Sequence, residues 1–73
     1  MFLSGMDQKN RIRTIRTMLG LTQADMSDKL NISLTAYNLK ENGKINFNDN
    51  DKVIIKELAQ RVDPHLTIDD IFF

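Results

Sequence analysis

The sequence predicts an all-α domain of five short helices, and three observations lead to this prediction. Apolar residues recur at helical spacing along most of the chain. Capping residues stand where the helices would begin, and glycine, asparagine or proline stands where they would end. No pair of segments has the pattern of paired strands. We therefore expect one domain over residues 1–73, with helices at about 7–19, 23–30, 34–42, 49–62 and 68–72.

Length and composition indicate a single domain that is stabilised by packing. Of the 73 residues, 41% are hydrophobic and 27% are charged, which is typical of a soluble globular protein. A core of this size supports a net stability of about 3–5 kcal/mol. The absence of cysteine excludes disulfides and thiolate metal sites and suits a reducing cytoplasm. The first six residues are too poor in apolar side chains for a signal peptide, and no apolar run could cross a bilayer, so we expect a cytoplasmic protein.

The first two helices are predicted from apolar spacing and from capping residues. Gly20 supplies the end of the first helix. Thr22 and Asp25 have the spacing of a capping box, which opens the second helix, and Asn31 suits the left-handed conformation that ends it. The side chains expected to face the core from these two helices are Ile12, Ile15, Met18, Leu19, Met26 and Leu30.

The third helix is expected to begin after Ser33, a favourable N-cap, and to stop at Gly43. About three residues separate it from the second helix, and so short a connection forces the two helices to cross at a steep angle. Tyr37 takes a core position on the third helix. In the polar segment that follows, Ile45 and Phe47 are expected to tuck under the domain and join its core.

The fourth and fifth helices are predicted from the same kinds of signal. Asn48 is the expected cap of the fourth helix, which Pro64 ends because proline lacks a donor and disfavours helical angles in the residue before it. Thr67 and Asp70 have capping-box spacing and open a short last helix. The apolar positions of these helices are Val53, Ile54, Leu58, Val62, Ile68, Ile71 and Phe72.

The charge distribution is uneven although the formal net charge is zero. Residues 1–44 carry seven basic and four acidic side chains, a surplus of three positive charges, and the remainder carries three basic and six acidic ones. Such polarity would direct the first half towards DNA, but the field is modest. An ordinary surface of mixed charge explains the same numbers.

Two short motifs, in this order and at this spacing, resemble the XRE/Cro-type helix-turn-helix family of phage regulators. They are residues 20–33 (GLTQADMSDKLNIS) and residues 41–44 (ENGK), and the similarity extends from position 11 to the final LTIDDIF at 66–72. The resemblance implies a five-helix, lambda-repressor-like helix-turn-helix domain. In that family the third helix is the recognition helix, which enters the major groove of DNA.

The resemblance also implies roles for individual residues. Gln23 matches a glutamine that meets the sugar-phosphate chain at the start of the second helix; the alternative is that it is only a polar residue at a helix start. Asn42 and Lys44 match the loop that touches phosphate. Arg16 and Glu41 match an ion pair that links the first helix to the third. The positions whose side chains would face base edges, or a partner protein, are Leu34, Thr35, Asn38 and Leu39.

Two departures from the family pattern bear on function. Leucine occupies two of the four reading positions, so only Asn38 offers the paired donor and acceptor with which a base is read directly. Lys40 stands where the family usually has an apolar residue, and we expect its stem to run along the core and its ammonium group to reach water. Leu34 and Leu39 either form an apolar patch for a protein partner or pack partly against their own domain.

Two functions follow as hypotheses, both in the control of a lytic or lysogenic decision in a bacterial host cell. The first is a modulator of repression, or antirepressor, like the small proteins of this kind in temperate phages of Gram-positive bacteria, which binds the lysogeny repressor and alters its DNA binding. The second is a Cro-like homodimer that reads operator DNA with the third helix. The apolar reading face and the zero net charge favour the first.

The residues that enzyme chemistry requires are not evident in the sequence. We find no nucleophile beside a base, no paired carboxylates in a pocket and no phosphate-binding loop. His65 stands alone in a loop beside Pro64. Asp70 has a capping role, which leaves the pair it forms with Asp69 without a second ligand group for a cation. We therefore expect no catalysis, no cofactor, no metal and no small-molecule substrate.

Overall fold

The computed structural model describes residues 2–73, and within them it contains helices and turns but no strand. This confirms the prediction of an all-α chain with five helices. None of the described helices is long and apolar enough to span a membrane. The helices are α1 (Gln8–Met18), α2 (Gln23–Leu30), α3 (Leu34–Glu41), α4 (Asp49–Ala59) and α5 (Ile68–Phe72).

Side-chain caps set the first residue of every helix. The side chain of each N-cap accepts a hydrogen bond from the backbone amide three residues later, which satisfies a donor that the helix itself cannot pair. At α2 the cap is a full capping box, and the hydrogen bond from the Thr22 backbone amide is the main cause that lowers the pKa of Asp25. Full boxes also open α4 and α5. The predicted caps are confirmed at Thr22, Ser33, Asn48 and Thr67.

The corner between α2 and α3 takes three residues, as expected. Asn31 adopts the left-handed conformation, with φ of 56° and ψ of 46°. The next amide, that of Ile32, donates to the carbonyl oxygen of Ser27 at 3.0 Å, which closes the end of α2. The corner therefore turns the chain sharply, and α2 and α3 pack against each other.

The core is one cluster to which every helix contributes, and Phe47 joins two parts of it. The ring centroid of Phe47 lies 6.3 Å from that of Tyr37 on α3 and 5.7 Å from that of Phe72 on α5. The second of these pairs meets edge to face, a favourable aromatic geometry. The core residues are Leu3, Ile12, Ile15, Met26, Leu30, Tyr37, Phe47, Ile55, Leu58, Ala59, Leu66, Ile71 and Phe72.

The Arg11 side chain links α1 to the turn before it and to α5. Its Nε donates to the carbonyl oxygen of Met6 at 2.9 Å, and its Nη1 donates to that of Ile71 at 2.7 Å. The short turn before α1 is held in this way, and Leu3 from that turn is buried in the core. α5 packs against α1 and α4.

Three side chains expected in the core are exposed instead, and the prediction is wrong for each. Met18 lies about 100° around α1 from Leu19, which places it beyond the narrow buried stripe. Val53 lies nearly opposite Ile55, which is the buried residue at the centre of α4. Ile45 is held at the end of α3 by the hydrogen bond from its amide to Leu39, before the chain turns inward.

α4 ends earlier than predicted, at Ala59 and not near residue 62. The amides of Val62 and Asp63 both donate to the Ala59 carbonyl oxygen, at 2.9 and 3.1 Å, so a tight turn replaces the last helical turn. Val62 is only partly buried, and Pro64 follows the turn and does not itself end the helix.

Candidate interaction surface

One side of α3 faces away from the core, and all four residues predicted there are exposed. Leu34 is 50% exposed and Leu39 is 40% exposed, while Thr35 and Asn38 are also at the surface. We call these four residues the outward face of α3. It contains two aliphatic side chains, one hydroxyl and one amide, and it has no charged group.

The other side of α3 is buried and holds Tyr37 and Glu41. The Glu41 carboxylate meets the Arg16 guanidinium of α1, with Nε at 3.1 Å from Oε2 and Nη2 at 3.2 Å from Oε1. Arg13, also on α1, places its Nε 3.6 Å from Oε1. Arg16 in addition donates to the carbonyl oxygen of Leu21 at 2.9 Å. The ion pair expected between α1 and α3 is therefore present, and the Glu41 carboxylate is paired with arginine side chains of α1.

The hydroxyl of Tyr37 is buried and makes no hydrogen bond to any residue in the described part of the chain. Burial raises the pKa of this phenol, and the nearby Glu41 carboxylate raises it further. We expect Tyr37→Phe to change the free energy of unfolding by less than about 1 kcal/mol, because it deletes a polar group that has lost water without gaining a partner. Urea denaturation followed by circular dichroism measures this. A loss above about 1.5 kcal/mol would mean that the hydroxyl bonds to Glu41 in solution.

The Lys40 ammonium group pairs with a carboxylate of the domain, whereas the sequence led us to expect it to extend into water. Its Nζ donates to Oδ2 of Asp51 on α4, and only a small part of either side chain is exposed. The carboxylate of Asp51 lies close enough to α3 to capture the ammonium group, a contact that residue spacing alone does not reveal. Both charged residues of α3, Lys40 and Glu41, are thus used inside the molecule.

Three predicted contact residues form a chain of side-chain amides. Asn38 Nδ2 donates to Gln23 Oε1 at 3.0 Å, which links α3 to the start of α2. Asn42 Nδ2 donates to Asn38 Oδ1 at 2.8 Å and to the Asn38 carbonyl oxygen at 2.9 Å. The structure therefore brings Gln23, Asn38 and Asn42 together as one polar strip, which shares Asn38 with the outward face of α3.

The chain after α3 returns to the end of that helix. The amides of Lys44 and Ile45 lie 2.8 and 3.4 Å from the carbonyl oxygen of Leu39, after a left-handed turn at Gly43. Both side chains are exposed. Ile45 thus adds an exposed aliphatic side chain after the end of α3 at which Leu39 lies, although the sequence predicts a core position for it.

Most basic side chains of the first 44 residues are engaged in internal contacts. Arg11, Arg13, Arg16 and Lys40 bind carbonyl or carboxylate oxygens of the domain, as described above. The remaining ones, Lys9, Lys29 and Lys44, are exposed, and the Arg13 side chain is also 44% exposed. The basic surplus seen in the sequence is therefore only partly available to an external anion.

The residues that a catalytic or metal site would use are scattered over the described chain. Residues 2–73 contain no group of three or more histidine, aspartate or glutamate side chains placed to hold a metal ion. His65 is exposed, and its backbone amide donates to Asp63 Oδ1 at 3.0 Å. An open depression of about 560 Å³ lies between the turn before α1 and α5, and Arg11, Asp69 and Phe73 are among its lining residues.

Comparison with protein-family models, with curated proteins and with solved structures finds no match to this chain. A functional assignment therefore depends on the local geometry described above and on the motifs of the sequence.

Proposed function

We propose that the protein is a transcriptional regulator of a phage-type lytic/lysogenic switch, and that it acts in the bacterial cytoplasm as a modulator of repression. It binds the partner lysogeny repressor through the outward face of α3 and so alters the DNA binding of that repressor. It has no catalytic activity. The single observation that carries the proposal is that α3 exposes two leucines and no charged side chain.

An uncharged outward face suits a protein partner better than DNA. The centre of a protein interface is apolar and poor in charge, whereas bases are read with arginine, lysine, asparagine or glutamine. Leu34 and Leu39 are each about half exposed, so covering them contributes roughly 1 kcal/mol apiece. Against DNA a leucine reaches only a thymine methyl group.

The weak basic field supports the same proposal. DNA affinity depends on lysine and arginine contacts to phosphate, and each contact releases counterions. Arg11, Arg16 and Lys40 are partly buried in internal contacts, which leaves four exposed basic side chains in the first 44 residues, Lys9, Arg13, Lys29 and Lys44. Four exposed cations are fewer than the roughly six to ten phosphate contacts of a protein whose DNA affinity falls steeply with salt.

A second candidate is a Cro-like homodimer that binds operator DNA. The observation in its favour is the amide strip of Gln23, Asn38 and Asn42, because a side-chain amide can pair with adenine and Lys44 lies nearby in sequence. Binding of this kind would weaken steeply as salt is added. Tight binding of the isolated chain to operator DNA, with that salt dependence, would favour this candidate over the modulator.

Replacing Leu39 with aspartate tests the proposed function. We expect Leu39→Asp to weaken association with the lysogeny repressor at least about tenfold, because a carboxylate would be desolvated in the apolar contact. Isothermal titration calorimetry with the repressor encoded beside this protein measures the affinity, and circular dichroism checks that the variant is folded.

Val53→Asp is a matched control, since Val53 is an aliphatic residue on α4 with 39% exposure against 40% for Leu39. It should leave the affinity for the repressor within about twofold of the original. Equal affinities for the unmodified chain and Leu39→Asp would contradict the use of the outward face. A repressor that does not bind the unmodified chain at all would refute the proposed function.

A further inference from the structure

An ion pair between the partly buried Lys40 and the buried Asp51 joins the two ends of the segment between α3 and α4. Lys40 lies one residue before the end of α3, and Asp51 is the third residue of α4. Only 12% of the Lys40 side chain and 3% of the Asp51 side chain are exposed. The contact thus ties the last turn of one helix to the first turn of the next.

Asp51 also sets the point at which α4 begins. Its Oδ2 accepts the backbone amide of Asn48 at 3.1 Å, and its own amide donates to Asn48 Oδ1 at 2.7 Å. The carboxylate oxygen that holds Lys40 is therefore the one that completes the capping box. Removing the Lys40 ammonium group therefore changes the contacts of Asp51, the residue that sets where the segment ends and α4 begins.

The other end of the segment is held by α3 itself. The carbonyl oxygen of Leu39 accepts the amides of Lys44 and Ile45, while Phe47 anchors the chain in the core. Between these two attachments Ile45 remains exposed, although it is as apolar as the core residues. Its backbone lies beside the residue on which the proposed function depends most, Leu39.

We infer that Lys40 and Asp51 are a positioning pair, which holds Ile45 beside Leu39 so that Ile45 forms part of the surface that binds the repressor. The inference rests on the proposed function for the identity of the partner. An ion pair withdrawn from water contributes little to stability compared with well-packed apolar residues, but in some proteins it specifies the relative geometry of the elements it joins. Here it fixes the geometry of a segment that carries an exposed aliphatic side chain.

Amide hydrogen exchange tests the positioning step without any partner. The full chain is compared with Lys40→Met, Asp51→Asn and the double variant, in which asparagine can still accept the Asn48 amide. We expect the double variant to regain much of the stability lost in the single ones, since no unpaired buried charge remains. Exchange at Lys44 and Ile45 should nevertheless stay at least tenfold faster than in the original chain, while amides of α1 keep their protection.

Lys9→Met serves as the matched control, because Lys9 is exposed on α1 and the substitution is the same. It should leave exchange at Lys44 and Ile45 unchanged. Unchanged exchange at these two amides in the double variant would overturn the positioning role. Equal acceleration at every amide would also overturn it, because the pair would then support only global stability.

Measuring repressor binding tests whether Ile45 forms part of the surface that binds the repressor. We expect Ile45→Ser and the double variant each to bind the neighbouring repressor about five- to tenfold more weakly, with Ile45→Ser as stable as the original chain. Unchanged affinity of folded Ile45→Ser would overturn the assignment of Ile45 to the surface. Failure of the unmodified chain to bind refutes the proposed function instead, and hydrogen exchange still decides whether the pair positions the segment.

Discussion

Phe47→Ala is expected to leave the chain largely unfolded at room temperature. Removing a buried phenylalanine costs about 3–5 kcal/mol, which is as large as the whole stability of about 3–5 kcal/mol that a domain of this size supports. Phe47 is only 4% exposed, and it is the ring that lies between Tyr37 of α3 and Phe72 of α5. Its loss therefore leaves a cavity where two helices and the segment after α3 meet.

Thermal unfolding by circular dichroism measures this effect, and Phe73→Ala is the matched control. Phe73 is 76% exposed, and the Nζ of Lys52 lies 5.0 Å from the centroid of its ring. An exposed cation–π contact is worth about 0.5–1 kcal/mol, so the control should lose no more than that. A cooperative transition in Phe47→Ala close to that of the original chain would contradict the central place of Phe47.

Glu41→Ala is the second substitution expected to remove most of the stability. It leaves the Arg16 side chain, which is only 13% exposed, without its carboxylate partner, and breaking a buried pair by removing one partner costs about 3–5 kcal/mol. The hydrogen bond from Arg16 to Leu21 remains, which does not compensate the charge. We expect urea denaturation to give a midpoint near zero denaturant, because the loss again approaches the total stability.

Glu57→Ala provides the comparison for Glu41→Ala, since Glu57 is exposed on α4. A surface substitution of this kind changes stability by about 0.5 kcal/mol at most. If the two alanine variants unfold at the same urea concentration, the contact between Arg16 and Glu41 contributes nothing measurable to stability, and other contacts hold α3 in place.

Phe47→Ala and Glu41→Ala would affect function by changing how α3 is held in the domain. Glu41 and Phe47 are both buried, so neither side chain is expected to touch a partner. Both act by fixing α3 on α1 and on the core. Loss of repressor binding in either variant therefore has to be compared with its loss of folding, whereas Leu39→Asp and Ile45→Ser change exposed side chains only.

The sequence by itself determined where most helices begin and how the α2–α3 corner turns. Thr22, Asn48 and Thr67 each bond to the amide three residues later, so the signal for a helix start is contained in four neighbouring residues. Asn31 takes the left-handed conformation for an equally local reason. The helical spacing of Ile12 and Ile15 also identified the buried stripe of α1.

The tertiary structure alone decided which polar groups meet and which apolar groups stay outside. Lys40 meets Asp51 eleven positions along the chain, and Asn38 meets Gln23 fifteen positions away. Such contacts depend on the angles at which helices pack, and no window of neighbouring residues specifies those angles. For the same reason periodicity could not place Met18 or Ile45, because exposure depends on whether another element covers the side chain.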